Sequence, residues 1–305
     1  MIIEKEFNNA FSNTISPFKE VVAYEALWAQ NKATFKTLSE LFKGNPGSVP
    51  SDFIQDISDI YKDLYPKVKN LIVNKDFNYK TNILINKTLD YPIALKDAAE
   101  PVEILYYSGN LNYLQTRSVA IVGSRNPSTE GLMRTKIISQ RLVKDGFTIV
   151  SGLAKGVDTM AHESAMAVGG RTIAVIGTPL NKAYPKENAG MQEFIALNHL
   201  LVSQVPFYRY SLQSPLGNRL FFPERNKTMS ALTEATIIIE ASDTSGTLIQ
   251  AKAAIQQRRK LFILDSCFNH SDIKWPAKFE KAGAIRVKEY SDIISILGKQ
   301  QETLL

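Results

Sequence analysis

The stretch Ser118-Val-Ala-Ile-Val-Gly-Ser-Arg-Asn-Pro-Ser-Thr-Glu-Gly131 constrains this chain more than any other. Four apolar residues, Val119 to Val122, run directly into Gly123-Ser124-Arg125. Asn126 or Ser128 is then placed to cap a helix that tolerates Pro127 in its first turn. A strand, a glycine turn and a helix start bring backbone N–H groups and the positive end of a helix dipole to one point, which suits an anion. Arg125 adds a fixed charge whose fork matches phosphate.

The same unit recurs downstream. Phe147 to Val150 reads as a strand ending at Ser151-Gly152, and Thr172 to Ile176 as one ending at Gly177. Leu200 to Val205 is another, followed by a long polar connection to Phe222, and Ala235 to Ile239 ends at Glu240-Ala241. Val102 to Tyr107 precedes the series, and Leu261 to Leu264 and Ile285 to Val287 follow it. Helices are expected over about 129–144, 157–167, 188–198, 224–232 and 246–258, with a closing helix at Ser291 to Leu297. Gly123 and Gly152 lie about 30 residues apart, one βαβ unit. Continuous apolar strands alternating with helices predict an α/β fold, a parallel sheet covered on both faces. Ligands then bind beyond the carboxyl ends of the strands, where the polar, glycine-bearing turns sit.

Residues 1–97 differ in character. Apolar residues fall at helical spacing over 18–29, 33–42, 53–64 and 68–73, broken by Gly44-Asn-Pro-Gly47 and Pro50. Asn78 to Asn86 is polar and carries no assignment. The expected organisation is a small, mainly helical domain at 1–97, a sheet domain at 98–298 and a frayed tail at 299–305.

Composition sets outer limits. The 305 residues are 44% hydrophobic and 22% charged, enough for a substantial core, and the net charge of +6 leans weakly toward a polyanionic partner. One cysteine, Cys267, excludes an internal disulfide and suits a reducing compartment. No secretory signal pattern opens the chain, and no apolar run reaches the roughly 18 residues of a membrane span. The expectation is a soluble cytoplasmic protein. The first turn lacks the G-x-G-x-x-G pattern of a dinucleotide site, and no G-x-x-x-x-G-K-[ST] or G-x-S-x-G occurs. Cys267 and His270 have no second pair to complete a metal site, so no metal and no cofactor is expected.

Three further constellations carry chemistry. Ser151-Gly152 lets a ligand approach the backbone. Asp158 and His162, four apart on one helix face, either touch a ligand or act as a cap and a buried histidine, and the second is favoured. Arg225-Asn226-Lys227 at a helix start could hold phosphates or be an ordinary solvated start. Ser245-Gly246-Thr247 could accept an anion or simply cap its helix. Basic residues are frequent around these turns, which admits a groove for single-stranded nucleic acid if they share a face.

Six motifs in order resemble the DprA/Smf (DNA processing protein A) family. They are Leu105-Tyr-Tyr-Ser-Gly-Asn-Leu111 with Val119 to Arg125; Ser151-Gly-Leu-Ala-Lys-Gly-Val-Asp158 with Ala161-His162; Gly169 to Gly177; Tyr184-Pro185 with Asn188; Phe222-Pro-Glu-Arg-Asn226; and Glu240-Ala241 with Ser245-Gly-Thr-Leu248. The resemblance covers about 102–260. It implies an extended Rossmann-like fold that binds single-stranded DNA as a homodimer. It also implies DNA uptake or recombination, as in natural transformation, with transfer to a RecA-type recombinase and no catalytic residue. Carried over by position, Gly123, Ser124, Arg125, Ser151, Gly152, Lys155, Arg225, Asn226 and Lys227 face phosphate, joined by Ser245, Gly246 and Thr247. Asp158, His162, Gly177, Tyr184, Asn188 and Glu240 support the pocket. Lys155 and Lys227 stand where the family often has arginine, which keeps charge and loses the fork. Gln257-Arg258-Arg259 and the stretch Cys267 to Trp275 depart from the family pattern, and a divergent member without a C-terminal winged-helix domain is expected. The alternative is a nucleotide-binding sensor or phosphoribohydrolase of a related Rossmann-like family, in phage or mobile-element defence, with Glu240 as its acid. Against it, no Gly-Gly-x-Gly-Thr signature occurs near Ser245-Gly-Thr247.

Overall fold

Ser118–Val122 forms the strand at the middle of a sheet, and every residue in it is buried. The structure, a computed structural model, describes residues 16–55, 57–73, 76–96, 98, 100–269 and 273–298. His270 and the expected tail at 299–305 lie outside the described residues.

Among the described residues nine strands make one sheet. They are β1 (Asn82–Ile85), β2 (Ile104–Gly109), β3 (Ser118–Val122), β4 (Thr148–Ser151), β5 (Thr172–Ile176), β6 (Leu200–Ser203), β7 (Ala235–Ile238), β8 (Lys260–Leu264) and β9 (Ile285–Val287). Their order is β1-β2-β6-β5-β4-β3-β7-β8-β9. β3 to β9 pair in parallel, as the apolar runs predict, while β1 and β2 are antiparallel additions at one edge. The antiparallel β2–β6 pairing departs from the all-parallel expectation. So does β1, which draws part of the unassigned stretch Asn78 to Asn86 into the sheet.

The main helices are α1 (Pro17–Ala29), α2 (Phe35–Gly44), α3 (Ile57–Ile72), α4 (Thr129–Lys144), α5 (Val157–Met166), α6 (Ala189–Asn198), α7 (Phe207–Leu212), α8 (Phe221–Ala231), α9 (Thr247–Gln256), α10 (Trp275–Lys281) and α11 (Tyr290–Leu297). Two of them, α7 and α10, arise where no helix is expected. The α3 helix continues through Pro66, where the sequence suggests two helices. Proline there forfeits a backbone bond. The buried Leu64 and Val68 on either side of it pack into the core and hold the helix together.

Strand periodicity sorts the core into two faces. Val119 and Ile121 of β3 join one apolar cluster, and Ala120 and Val122 join another on the opposite face. The N-terminal helices share their cluster with the sheet: Tyr24, Leu27 and Trp28 of α1 pack with Ile104, Tyr106, Ile176 and Leu201. Each fully buried aliphatic or aromatic side chain of this kind contributes about 1.5–3 kcal/mol. The result is a rigid sheet whose carboxyl ends present their turns together.

Candidate functional site

The strand order reverses direction at β3. Successive strands β4, β5 and β6 build away from it on one side, and β7, β8 and β9 on the other. Neighbouring loops leave the carboxyl ends of β3 and β7 in opposite directions, which opens a crevice between them. A cavity of about 300 Å³ lies there. Its walls come from Gly123 to Asn126, from Phe222, Pro223, Arg225 and Asn226 of α8, and from Ser245 to Thr247 ahead of α9.

The β3 turn is fixed by close packing. A Cβ on Gly123 would lie 2.7 Å from Val157 Cγ2 and 3.0 Å from the Glu240 carbonyl, so only glycine fits. Ser124 Oγ accepts from Asn126 N at 3.1 Å, and Thr247 Oγ1 reaches the Gly123 carbonyl at 3.4 Å. None of the described residues accepts from the backbone N–H of Ser124, Arg125 or Gly246. These donors, at the cavity wall, are open to an anion.

The start of α4 is not open in this way. Ser128 caps it, accepting from Gly131 N at 2.9 Å. Ser128 in turn donates to Glu240, from its N to Oε2 at 2.9 Å and from its Oγ to Oε1. A carboxylate already stands at that positive helix end. Glu240, the acid of the hydrolase alternative, is thereby committed to a structural cross-link between β7 and α4.

Arg225 is 5% exposed and forms the floor. Its Nη1 donates to the carbonyls of Gly152 and, at 2.7 Å, Val175, and its Nε donates to Asn226 Oδ1 at 2.8 Å. Asn226 Nδ2 then reaches the Gly246 carbonyl at 3.1 Å. This chain of bonds ties the ends of β4 and β5 to the turn before α9. Burial lowers the Arg225 pKa; the Asp158 carboxylate opposes that, and the Arg125 charge adds to it. Burial likewise raises Asp158, with Arg225 pulling the other way. Each charge thus opposes the shift that burial imposes on the other, and with its Nη1 and Nε held by the protein, Arg225 supplies field and rigidity beneath the cavity.

Of the four cations expected at phosphate, two sit elsewhere. Lys155 pairs with Glu187 at 2.6 Å, and Lys227 pairs with Glu100 and Glu224, each at 2.9 Å. Neither lines the cavity. Arg125 does, and it is exposed with no ion pair among the described residues. Ser151 is buried and donates to the Ile121 carbonyl at 2.7 Å, while Gly152 abuts the Arg225 guanidinium.

The remaining positions hold the walls. Thr172 Oγ1 donates to the Ile149 carbonyl at 2.8 Å, so His162 Nδ1, 2.7 Å from it, carries the proton. Burial pushes the His162 pKa down to about 3, which keeps the ring neutral. Asn188 donates to the Leu153 carbonyl and to Thr159 Oγ1, both at 2.9 Å. Gly177 packs against Phe222, whose ring centre lies 5.2 Å from that of Tyr184. The sequence reading missed Ser128 as the link to Glu240, and it missed Ile249 and Gln250 as lining. Helix periodicity alone could have placed the last two on the cavity side of α9. No cluster of His, Cys, Asp and Glu able to hold a metal occurs among the described residues, and no described helix is long and apolar enough to cross a membrane.

The model of a family described as DNA recombination-mediator protein A matches residues 82–298. Protein Smf of Synechocystis sp. is 43% identical over 179 residues, 57% of this chain and 44% of that protein. The chain therefore spans less than half of that relative. DNA processing protein DprA of Streptococcus pneumoniae is 36% identical over 207 residues, 67% of this chain and 70% of its own. Among solved structures, the X-ray structure of the Streptococcus pneumoniae protein superposes with a TM-score of 0.72 at 27% identity, covering 94% of this chain and 99% of the other. A structure of DNA processing protein A from Helicobacter pylori, described for its single-stranded DNA binding mode, gives 0.61 at 30% identity over 73% of this chain and 96% of the other.

Proposed function

The chain belongs to the DNA recombination-mediator protein A family, and from that premise we propose that it binds single-stranded DNA in the crevice between β3 and β7. One observation carries the reading: Arg125, exposed and unpaired among the described residues, stands beside the open N–H groups of Ser124, Arg125 and Gly246. A backbone phosphate placed there would receive a guanidinium fork and peptide donors without breaking any existing bond. The Helicobacter pylori relative, described for binding single-stranded DNA, supports the choice of ligand. The protein acts in this reading as a non-catalytic DNA-processing factor. Homodimerisation and transfer of DNA to a RecA-type recombinase complete the proposal.

The test is fluorescence anisotropy of a labelled oligothymidine at low salt. Binding that weakens steeply with salt supports the reading. Absence of binding by the intact chain sinks it.

A further inference from the structure

The first turn of α9 separates two hollows. Thr247 and Gln250 face the cavity described above, while Leu248, Lys252 and Ala253 face a larger cleft of about 750 Å³. Ile249 lines both. The far wall of the cleft is α10. Its Trp275 is buried and donates from Nε1 to the Ala241 carbonyl at 3.0 Å, which makes it a fixed floor. Phe279 is half-buried and also lines the cleft, its ring 6.2 Å from that of Trp275 in an edge-to-face arrangement.

The charge lining this cleft is net positive, four lysines against Glu100 and Asp243. Lys252, Lys274 and Lys278 are exposed and make no ion pair among the described residues. The two carboxylates present are engaged: Glu100 pairs with Lys227, and Asp243 accepts from the backbone N–H of Trp275 at 3.2 Å. An apolar base rimmed by unpaired lysines suits a chain that alternates charged backbone and flat rings. Lys252 lies about 9 Å along the helix axis from Gly246, so it meets a later phosphate of the strand than the turn does.

We propose that this cleft is a second nucleic-acid subsite, in which Lys252, Lys274 and Lys278 hold the phosphates of the strand leaving the Arg125 cavity over the Ile249 ridge. Phe279 is the ring against which a base stacks. The inference rests on the reading that the cavity itself takes single-stranded DNA.

The experiment compares the intact chain with a triple variant, Lys252→Gln, Lys274→Gln and Lys278→Gln, on oligothymidines of about 5 and about 20 nucleotides. The long strand should lose about ten-fold or more in affinity at low salt, and the slope of log affinity against log salt should flatten by about 2. The short strand, confined to the Arg125 cavity, should bind as before. Replacement of all three lysines by arginine should preserve the slope. If the triple variant loses thermal stability, Lys252→Gln alone decides, with an expected flattening of about 0.7. An unchanged long-strand slope overturns the subsite and leaves the cavity reading standing, as an acidic protein occupant would produce. Equal loss on both lengths also overturns it. Failure of the intact chain to bind either strand overturns both.

Discussion

Arg225 and Gly152 are locked face to face: the guanidinium donates to the Gly152 carbonyl and occupies the space that a Cβ at position 152 would need. The family resemblance implies that both residues face phosphate, yet their first relationship is with each other. Gly152→Ala must displace a buried charge, and overpacking of this kind costs about 1–3 kcal/mol. Arg225→Ala should cost on the order of 3 kcal/mol, because it leaves Asp158 buried without its compensating charge and strands two carbonyls. Chemical denaturation of the two variants checks both values. An Arg225→Ala protein as stable as the parent would show that the bonds to Gly152 and Val175 contribute nothing.

Arg125→Ala should behave in the opposite way. The side chain is exposed and has no ion pair among the described residues, so stability should change by less than about 0.5 kcal/mol. DNA affinity should fall, and the salt slope should flatten by about 0.7, the share of one phosphate contact. Calorimetric melting and anisotropy titration on the same preparation separate the two effects.

The contrast shows what the sequence reveals and what it hides. Strands β3, β4, β5 and β7 are legible because each is a continuous apolar run closed by a polar or glycine turn, and parallel pairing follows from burial on both faces. Their carboxyl ends, and hence the place of the crevice, come with them. The short strand β1 is not legible, because four residues at an antiparallel edge carry too little pattern. Nor is the state of each cation. Lys227 meets Glu100, and Lys155 meets Glu187, through tertiary contacts that no local spacing encodes. Arg225 reads as a phosphate ligand for the same reason: its partners, the carbonyls of Gly152 and Val175, lie on other strands.

Gly131 and Glu240 give a coupled prediction. Glycine within a helix costs up to about 1 kcal/mol relative to alanine, so Gly131→Ala would ordinarily stabilise α4. Here a Cβ would lie 2.6 Å from the Glu240 carboxyl and push it off Ser128. The substitution should therefore destabilise by about 1 kcal/mol through loss of that link. In a Glu240→Ala background the clash is gone, and Gly131→Ala should become stabilising. A double-mutant cycle by urea denaturation measures the coupling, and additive effects would refute it.

Glu25 makes stability depend on pH. Its carboxylate accepts from Tyr106 Oη at 2.7 Å, from Phe207 N at 2.8 Å and from Tyr208 N at 2.9 Å, joining α1 to β2 and α7. Burial nonetheless dominates and pushes its pKa up to about 7 from an ordinary 4.5, while the three donors pull it down. Between those values the folded protein retains a proton that the unfolded chain has released. This contribution to stability is therefore complete below about pH 4.5 and is lost as pH rises through about 7. Its slope is at most about 1.4 kcal/mol per pH unit. Glu25→Gln removes the titration but sets an amide N–H against one of the three donors, which costs about 1–3 kcal/mol at low pH. The variant should thus be less stable than the parent at pH 5, and the gap should narrow or reverse by pH 8. Urea denaturation across that range decides, and parallel profiles for the two proteins would show that Glu25 does not titrate differently on folding.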